Sequence, residues 1–250
     1  MSFLDKMRDI KINESKIYTK PTEIVIPKSF ISNVVSSDNL SIIAEVKKAS
    51  PSKGIIATDI NPIEQAKRYE SGGAKAVSVL TESEYFLGRY EDLYEVASSV
   101  NVPVLCKDFI FFSHQLHKAR DFGASIVLLI AAGLETNALV ELEQEAIELG
   151  MEVLLEVHDE ADLEKIQLCK SKLVGVNNRN LRTLEVSLET SQQLLPLVNA
   201  EGKFAISESG ILQIEDAQFL KNAGAKGLLI GEALMKNENP EIFLKELLSL

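Results

Sequence analysis

Charged side chains stand near the ends of several apolar segments that otherwise have the composition of buried β-strands. The segment IIAEVKK carries Glu45 and Lys47, VLCKDF carries Lys107, and VLLEVH carries Glu156. Burying an ionised group is unfavourable unless it is paired and hydrogen-bonded, so several such groups at one end of successive strands need a reason. Amines and carboxylates brought together in this way can move protons and can hold an anionic substrate.

Two further segments carry polar groups at the same place. VGVNNRN has Asn177 and Arg179 on one side of a strand, and FAISESG carries Glu208 and Ser209 near its end. Side chains alternate between the two faces of a strand, so Glu45 and Lys47 also share a face, which we predict to point into the interior of the fold. The alternative is a structural plug of Glu–Lys pairs, which is less favoured because apolar side chains fill such an interior at lower cost.

The strands that supply these groups alternate with amphipathic helices along nearly the whole chain. Eight strands are predicted, at residues 41–47, 76–81, 102–108, 125–131, 152–157, 173–177, 203–207 and 227–230. Helices are predicted at residues 62–71, 90–99, 113–122, 136–149, 159–169, 187–198, 213–223 and 240–248. Several of them are followed by a glycine suited to a left-handed helix end, namely Gly73, Gly123, Gly150 and Gly224.

Eight strand and helix units in succession predict an α/β fold, the closed (β/α)8 TIM barrel, whose active sites lie at the carboxyl ends of the strands. Strands that are apolar throughout, such as IVLLI, indicate a parallel sheet covered by helices. An open doubly wound sheet is the alternative, but it usually has fewer strands, and the chain has no G-x-G-x-x-G or P-loop motif. We predict a single domain, residues 1–250, in which residues 1–40 form an N-terminal extension packing on the barrel.

Composition and charge exclude several functional classes. The 250 residues are 46% hydrophobic and 25% charged, as in ordinary globular proteins, and the net charge of −11 argues against nucleic-acid and membrane partners. The longest apolar run, residues 126–134, is too short to span a bilayer, and the N-terminus lacks a signal-peptide pattern. We therefore expect a cytoplasmic protein, either a monomer or a weak homodimer.

Cysteine and histidine usage predicts neither a disulfide framework nor a metal site. Cys106 and Cys169 are the two cysteines, and we expect both to be reduced and structural. His114 and His117 are one helical turn apart, but no further cysteine or histidine lies near them in the sequence.

An anionic ligand must be held by local groups in so acidic a chain, and phosphate is the anion that the pattern favours. Ser209 and Gly210 follow the seventh strand and Gly231 follows the eighth, where barrels of this kind commonly bind phosphate through backbone N–H groups. Ser50, after the first strand, adds a hydroxyl. Each glycine taken alone is also explained as a turn residue, but their joint placement predicts a phosphate site.

The motifs together resemble the indole-3-glycerol-phosphate synthase family of tryptophan biosynthesis. They are IIAEVKKASPSKG (42–54), VLTESEYFLG (79–88), LCKDF (105–109), LLEVH (154–158), VGVNNRNL (174–181), SESGI (207–211) and LIGEALM (229–235). The first motif is the most specific. The resemblance implies a cofactor-free lyase that converts the phosphorylated small molecule 1-(2-carboxyphenylamino)-1-deoxyribulose 5-phosphate to indole-3-glycerol phosphate, carbon dioxide and water.

The resemblance also implies catalytic roles for individual residues. Lys107 would be the general acid that protonates the ribulose carbonyl. Lys47 would pair with the substrate carboxylate or donate a proton as water leaves, and Glu156 would be the general base that restores aromaticity. Glu45 and Asn177 would hold the lysines and the substrate hydroxyls.

The remaining residues carried over from the family would bind and orient the substrate. Glu208 would complete the polar floor of the site, and Arg179 would orient the substrate. Phe86, Phe109 and Leu181 would line an apolar slot for the aryl group, which favours a reactive geometry.

Two features of the sequence qualify this interpretation. A lysine acts as an acid near neutral pH when its pKa falls. Burial beside Lys47 and Arg179 would lower the pKa of Lys107 and Glu45 would raise it, and the sequence leaves the balance between them open. Glu232 stands where many members of the family have a small hydroxyl residue, and a carboxylate there would repel phosphate unless its side chain turns away.

Two other functions remain open on the sequence. Lys107 would be a Schiff-base nucleophile if the chain were an aldolase-type phosphosugar lyase, a reading that rests on one lysine late in a strand. A non-catalytic phosphosugar-binding barrel would need a broken set of acids and bases, whereas the set in this chain is complete.

Overall fold

Eight parallel strands form a closed barrel in which the order of the strands around the ring follows their order in the chain. The structure is a computed structural model and describes residues 2–14, 16–35, 39–50, 54–55 and 60–250. It confirms the (β/α)8 barrel over the open sheet. The strands are β1 (Ser41–Val46), β2 (Ala76–Leu80), β3 (Val104–Lys107), β4 (Ile126–Ile130), β5 (Glu152–Val157), β6 (Leu173–Asn177), β7 (Phe204–Glu208) and β8 (Gly227–Ile230).

The barrel closes where β1 pairs with both β8 and β2. Ile42 lies opposite Leu228 on one side, and Ala44 lies opposite Val77 on the other. These side chains are buried whichever face they occupy, since one face fills the barrel and the other packs on the helices. Removing each large aliphatic side chain from water contributes about 1.5–3 kcal/mol, which explains why the strands are apolar except at their carboxyl ends.

The helices fall close to their predicted positions. Those predicted are α3 (Pro62–Ser71), α4 (Tyr90–Ser99), α5 (Ser113–Asp121), α6 (Thr136–Glu148), α7 (Glu160–Lys165), α8 (Glu189–Ala200), α9 (Ile214–Asn222) and α11 (Pro240–Leu248), while α1 (Phe3–Asn13), α2 (Ile31–Val34) and α10 (Glu232–Lys236) lie outside the predicted repeat. The four glycines expected at left-handed helix ends have φ angles between 81° and 105°. None of the helices in the described part of the chain has the length and apolar character needed to cross a membrane.

Local hydrogen bonding explains where element boundaries differ from the predicted ones. The third strand begins at Val104 and not at residue 102, because Pro103 has no N–H to donate to a neighbouring strand. The helix predicted at 187–198 begins at Glu189, because a β-bridge between Val186 and Arg179 and the hydrogen bond from the Ser187 N–H to the Asn178 carbonyl hold the preceding residues against the loop after β6. The helix predicted at 159–169 begins after Asp159, whose side chain caps it, and ends as the 3-10 turn Ile166–Leu168.

The break predicted after the first strand falls only partly within the described residues. Ala49–Ser50 pairs with Gly54–Ile55 as a small antiparallel hairpin. Of the predicted break at Ser50-Pro51-Ser52, only Ser50 is described, and positions 51–53 lie outside the described residues.

The N-terminal segment contacts both ends of the barrel. At the carboxyl ends of the strands, α1 places the ring of Phe3 edge-on to Phe109, with ring centres 5.6 Å apart. At the opposite end, Glu152, the first residue of β5, accepts hydrogen bonds from the Ser29 hydroxyl and the Phe30 N–H. Phe30 is fully buried, so the segment covers the amino end of the barrel while α1 borders the site end.

A fully buried ion pair fastens α1 to the barrel beside Lys107. The Lys11 ammonium lies 2.8 Å from Asp108 Oδ1, and neither side chain is exposed. The other oxygen of Asp108 accepts a hydrogen bond from the Thr81 hydroxyl at 2.7 Å. Burial lowers the pKa of Lys11, but the carboxylates of Asp108 and Glu14 outweigh it and hold the pKa above its ordinary value.

We expect Lys11→Met to lower the free energy of unfolding by about 3–5 kcal/mol, because it leaves the Asp108 charge buried without its cation. For a chain of this length the melting temperature should fall by about 10 °C, measurable by calorimetry. Lys20→Met is the matched control, since Lys20 is 68% exposed in its pair with Asp121 and should contribute less than about 1 kcal/mol. Equal effects of the two substitutions would contradict a structural role for the buried pair.

Candidate active site

A cavity of about 800 Å³ opens at the carboxyl ends of the barrel strands. Charged and polar residues form part of its wall and aromatic and aliphatic residues form the rest, as expected for a site that binds a substrate with an aryl group and a phosphate. Every site residue predicted from the sequence lines it: Glu45, Lys47, Ser50, Phe86, Lys107, Phe109, Glu156, Asn177, Arg179, Leu181, Glu208, Ser209, Gly210 and Gly231.

Lys107 lies at the centre of the polar wall between two buried carboxylates. Its ammonium donates to Glu208 Oε2 and lies 3.4 Å from Glu156 Oε2. The two carboxylate side chains are 1–2% exposed, whereas Lys107 is 14% exposed and reaches the cavity. Gly175 makes this arrangement possible, because a Cβ at that position would lie 2.0 Å from Glu208 Oε1. The cluster therefore presents one cation, backed by two anions, to whatever occupies the cavity.

A hydrogen bond to the second oxygen of Glu156, Oε1, orients the carboxylate. Asn177 donates an amide hydrogen bond of 3.0 Å to Glu156 Oε1, and the Asn177 carbonyl oxygen accepts one of 3.0 Å from the Arg179 N–H. The Arg179 guanidinium donates to the Leu184 carbonyl at 2.9 Å, which fixes the loop after β6. Asn177 thus positions Glu156, and Arg179 holds the wall of the cavity.

A second ion pair lies beside the first cluster. The Lys47 ammonium is 2.6 Å from Glu45 Oε1, and Glu45 is nearly fully buried. The strand alternation predicted from the sequence explains the pair, because residues 45 and 47 face the same cavity. Gly231 leaves room for it, since a Cβ there would lie 2.6 Å from Glu45 Oε1 and 3.1 Å from the Lys47 nitrogen.

The structure decides between the opposing influences on the pKa of Lys107. Burial lowers it, but the carboxylates of Glu208, Glu156 and Glu45 outweigh burial and hold the pKa above its ordinary value. The balance that the sequence left open falls on the side of the carboxylates, because two of them, from β5 and β7, contact the ammonium directly. Lys107 is a fully charged ammonium at neutral pH.

The pKa values of the two carboxyl groups beside Lys107 are shifted in opposite directions. Burial raises the pKa of Glu156, but Lys107, His158 and Asn177 together lower it well below its usual range. Burial raises the pKa of Glu208, and the nearby negative charge of Glu156 reinforces the rise against the attraction of Lys107. In the described part of the chain Glu208 Oε1 has no hydrogen-bond partner, so Glu156 is the better-supported anion of the pair.

Sequence reasoning missed His158, which contacts Glu156 from behind. Its Nε2 lies 3.3 Å from Glu156 Oε1, and its Nδ1 lies 3.4 Å from Asp162 Oδ2. Burial lowers the pKa of His158, but the two carboxylates outweigh it and raise the pKa to about 10. The signal was available, because residue 158 follows residue 156 on the same side of the chain.

The apolar wall is built from aromatic rings. Phe86 and Phe109 have ring centres 6.1 Å apart, and Phe3 packs edge-on against Phe109. Glu82, fully buried, accepts the Tyr85 and Phe86 N–H groups at 2.7 and 3.1 Å and so fixes the loop that carries Phe86. Phe3 was not predicted to line the site, because α1 lies outside the strand and helix repeat that located the other residues.

The predicted phosphate-binding residues follow three neighbouring strands, β7, β8 and β1, and line the same cavity. Ser209 and Gly210 both have left-handed backbones, with φ of 68° and 81°. Side chains crowd this turn, because a Cβ on Gly210 would lie 2.6 Å from Val186 Cγ1. The Glu232 carboxylate, whose negative charge would repel phosphate, lies 2.6 Å from the Lys236 ammonium. This ion pair counterbalances the charge of Glu232.

A closed barrel with a buried acid and base cluster at the carboxyl ends of its strands defines an enzyme of the (β/α)8 class, built for proton transfer on an anionic substrate. The family model for indole-3-glycerol phosphate synthase matches residues 7–247. The chain belongs to this family, which confirms the resemblance drawn from its motifs.

Individual relatives are similar over most of their length. The chain is 49% identical to the indole-3-glycerol phosphate synthase of Exiguobacterium sibiricum, over 83% of this chain and 80% of that one. It is 44% identical to the enzyme of the same name from another Exiguobacterium strain, over 99% and 96% of the two chains. Identity to that of Neisseria meningitidis is 46%, over 92% and 89%.

Proposed function

We propose that this chain is a carboxy-lyase that converts 1-(2-carboxyphenylamino)-1-deoxyribulose 5-phosphate to indole-3-glycerol phosphate, carbon dioxide and water. The observation that carries the proposal is the position of Lys107, charged, held by Glu156 and Glu208, and facing a cavity with an aromatic wall. Membership of the indole-3-glycerol phosphate synthase family supports the same reaction.

Substrate binding uses the two ends of the cavity. The phosphate is held by the Ser50 hydroxyl and by backbone N–H groups of Ser209, Gly210 and Gly231, which line the cavity. The aryl ring lies in the slot formed by Phe86, Phe109 and Leu181, and Arg179 orients the substrate between them. Fixing both ends brings the aromatic carbon and the ribulose carbonyl close together, which converts binding energy into rate.

Ring closure requires a proton at the carbonyl oxygen. A carbon–carbon bond forms from the aryl carbon to the carbonyl carbon, the carbonyl π bond breaks, and Lys107 gives its proton to the oxygen. The raised pKa of Lys107 is compatible with this role, because the acceptor develops into an alkoxide that is more basic than an amine. The charge of Lys107 also stabilises the developing oxyanion before the proton moves.

Loss of carbon dioxide and water completes the reaction. The carbon–carboxylate bond breaks and returns its electron pair to the ring. Lys47, beside Glu45, then protonates the departing hydroxyl, and Glu156 takes the carbon-bound proton whose loss makes the indole aromatic. Asn177 keeps Glu156 in place, and Glu208 balances the charge of Lys107.

The aldolase-type alternative requires Lys107 as a neutral amine. Two carboxylates contact its ammonium and raise its pKa, which opposes deprotonation. A barrel that only binds phosphosugars does not require the complete set of acids and bases that lines this cavity. Both alternatives are therefore less favoured than the lyase.

Charge and the composition of the cavity bear on where and how the enzyme works. The net charge of −11 supports a cytoplasmic protein without nucleic-acid or membrane partners. We propose that it acts without a cofactor, since every proton transfer above uses a side chain of the cavity, and that it is a monomer or a weak homodimer.

The purified protein, treated with EDTA and given no nucleotide, is expected to convert the carboxyphenylamino-deoxyribulose phosphate to a product with indole fluorescence. Absence of product at micromolar enzyme would refute the proposed function. Borohydride added during incubation with a sugar phosphate should trap no adduct on Lys107, as checked by mass spectrometry of the intact protein. A trapped adduct would favour the Schiff-base alternative.

A further inference from the structure

Glu82 is a fully buried acidic residue near the start of the loop after β2, residues 81–89. Of Glu82 and Phe86, four positions further on, only Phe86 lines the active-site cavity. A buried carboxylate is costly unless polar partners surround it, and a neutral side chain of the same size would fill the space at lower cost. The charge of Glu82 therefore needs an explanation that the proposed proton transfers do not supply.

Three consecutive backbone N–H groups surround the Glu82 carboxylate. Oε1 accepts a hydrogen bond from the Glu84 N–H at 2.8 Å, and Oε2 accepts from the Tyr85 and Phe86 N–H groups at 2.7 and 3.1 Å. Hydrogen bonds to an ionised acceptor are roughly twice as strong as those between neutral groups. The loop is thus wrapped around one negative charge, which fixes the backbone from which the Phe86 ring projects.

The backbone is strained immediately after Phe86. Leu87 has a left-handed conformation with φ of 54°, which is unfavourable for a residue that carries a Cβ. Gly88 then donates its N–H to the Glu82 carbonyl at 2.7 Å, and a Cβ on Gly88 would lie 2.2 Å from the Leu80 carbonyl oxygen. A strained conformation persists only where surrounding contacts hold it. Glu82 supplies such contacts on both sides of Phe86, through its carboxylate and through its carbonyl.

The base of this loop is attached to the strand that carries the proposed acid. The Thr81 N–H donates to the Lys107 carbonyl at 3.2 Å. The Phe86 ring lies beside Phe109, with ring centres 6.1 Å apart. Because Glu82 fixes the loop and Thr81 fixes its base, the Phe86 ring has a defined place relative to Lys107.

We propose that Glu82 is a positioning residue that sets the aryl slot through the backbone of Phe86, and so determines the preference for a ring-bearing substrate over a bare phosphosugar. The inference rests on the proposed function. Glu82 acts through Phe86 and not on the reacting atoms. Misplacing a substrate by about 1 Å can lower the rate about 10²-fold, so a loop held by one charge is sufficient to control catalysis.

The test compares Glu82→Gln with Glu82→Asp. Glutamine keeps the shape but turns an NH₂ group towards the N–H donors of the loop. Aspartate keeps both acceptor oxygens, and its side chain can still accept from N–H groups two and three positions further on. Glu82→Gln should raise KM and lower kcat about tenfold each, and Glu82→Asp should lie between it and the unmodified protein, as measured by indole fluorescence.

Two ligands that share the phosphate separate the aryl slot from the rest of the site. In Glu82→Gln the affinity for indole-3-glycerol phosphate should fall about tenfold, whereas competitive inhibition by glycerol 3-phosphate, which has no ring, should change less than about twofold. A loss that is equal for the two ligands would overturn the inference and assign Glu82 to the general stability of the barrel. An unchanged affinity for the ring-bearing ligand in the folded variant would overturn it as well.

A double-variant cycle with Phe86→Leu tests whether Glu82 acts through the ring. Residues that act as one unit give non-additive effects. The double variant should therefore bind indole-3-glycerol phosphate within about twofold as tightly as Phe86→Leu alone. Additive losses would contradict a role exerted through Phe86.

Glu84→Gln is the matched control, because Glu84 is an exposed glutamate in the same loop and its substitution should leave every constant unchanged. Circular dichroism and the melting temperature establish that each variant is folded. If Glu82→Gln does not fold, Glu82→Asp carries the same comparison, in which a loss confined to the ring-bearing ligand supports the inference and an equal loss or none overturns it. Failure of the proposed function gives a different result, because the unmodified protein would then form no indole.

Discussion

Lys107→Ala is expected to abolish measurable turnover while substrate binding largely survives. In the proposed mechanism the ammonium protonates the carbonyl and stabilises the developing oxyanion, so its loss should lower kcat about 10³- to 10⁴-fold. The residues proposed to hold the phosphate and the aryl group line the same cavity and are unchanged in the variant, so the dissociation constant should change by less than about tenfold. Indole fluorescence measures kcat, and calorimetric titration with a product analogue measures binding.

Controls separate chemistry from folding in this experiment. Removing Lys107 leaves Glu156 and Glu208 without their shared cation, so Lys107→Met, which fills the same space, is studied alongside the alanine variant. Circular dichroism should show a folded barrel for both. Lys75→Ala is the matched control, because Lys75 is exposed just before the amino end of β2, away from the cavity, and should retain full activity. Turnover by a folded Lys107→Met protein would remove Lys107 from its proposed role.

The sequence predicted the barrel and the convergence of its polar residues because both follow from short-range regularities. Period-two alternation placed Glu45 and Lys47 on one face, and repetition of the strand and helix unit required each strand to end at the same rim. Neighbours such as Asn177 and Glu156, 21 positions apart in the chain, then meet because adjacent parallel strands run in register.

Other features depend on contacts that no local pattern encodes. The ammonium of Lys107 meets Glu208, 101 positions away, and the sum of burial and charge that sets its pKa requires the actual distances. Phe3 and Lys11 lie on a helix outside the repeat, so their places beside Phe109 and Asp108 follow only from the packed structure. The short α10 also escaped prediction, since five residues carry too little periodicity to be recognised.

The ionisation of the carboxyl groups around Lys107 also depends on contacts that the sequence does not reveal. Sequence alone gives two similar glutamates at the ends of two strands, Glu156 and Glu208. The structure distinguishes them, because Glu156 is supported by Lys107, Asn177 and His158, whereas one oxygen of Glu208 has no hydrogen-bond partner in the described residues. Two titratable groups whose pKa values are driven apart suit different roles, and the one kept ionised is the candidate base.

Glu156→Gln is expected to lower kcat about 10²- to 10⁴-fold, because glutamine keeps the shape but cannot accept the proton whose loss forms the indole ring. Glu160→Gln, at the exposed first turn of α7, is the matched control and should leave kcat unchanged. Intermediates that retain the carbon-bound proton should accumulate in the Glu156 variant, detectable by mass spectrometry after rapid quenching. Full activity would exclude Glu156 as the base.

The pH dependence of the unmodified protein tests the same assignment by a separate route. A carboxyl whose pKa lies below its usual value of 4.5 must be taken to lower pH before it is protonated, so the base form of Glu156 persists through the whole neutral and mildly acidic range. Its protonation should therefore not limit kcat/KM above about pH 4.5.

Removing the cation in Lys107→Met takes away the largest influence that holds the pKa of Glu156 down, so Glu156 should titrate at higher pH in that variant. Infrared difference spectra of the carboxyl stretch, with Glu156→Gln assigning the band, measure the shift, and an unchanged titration would show that Lys107 does not set the charge of Glu156.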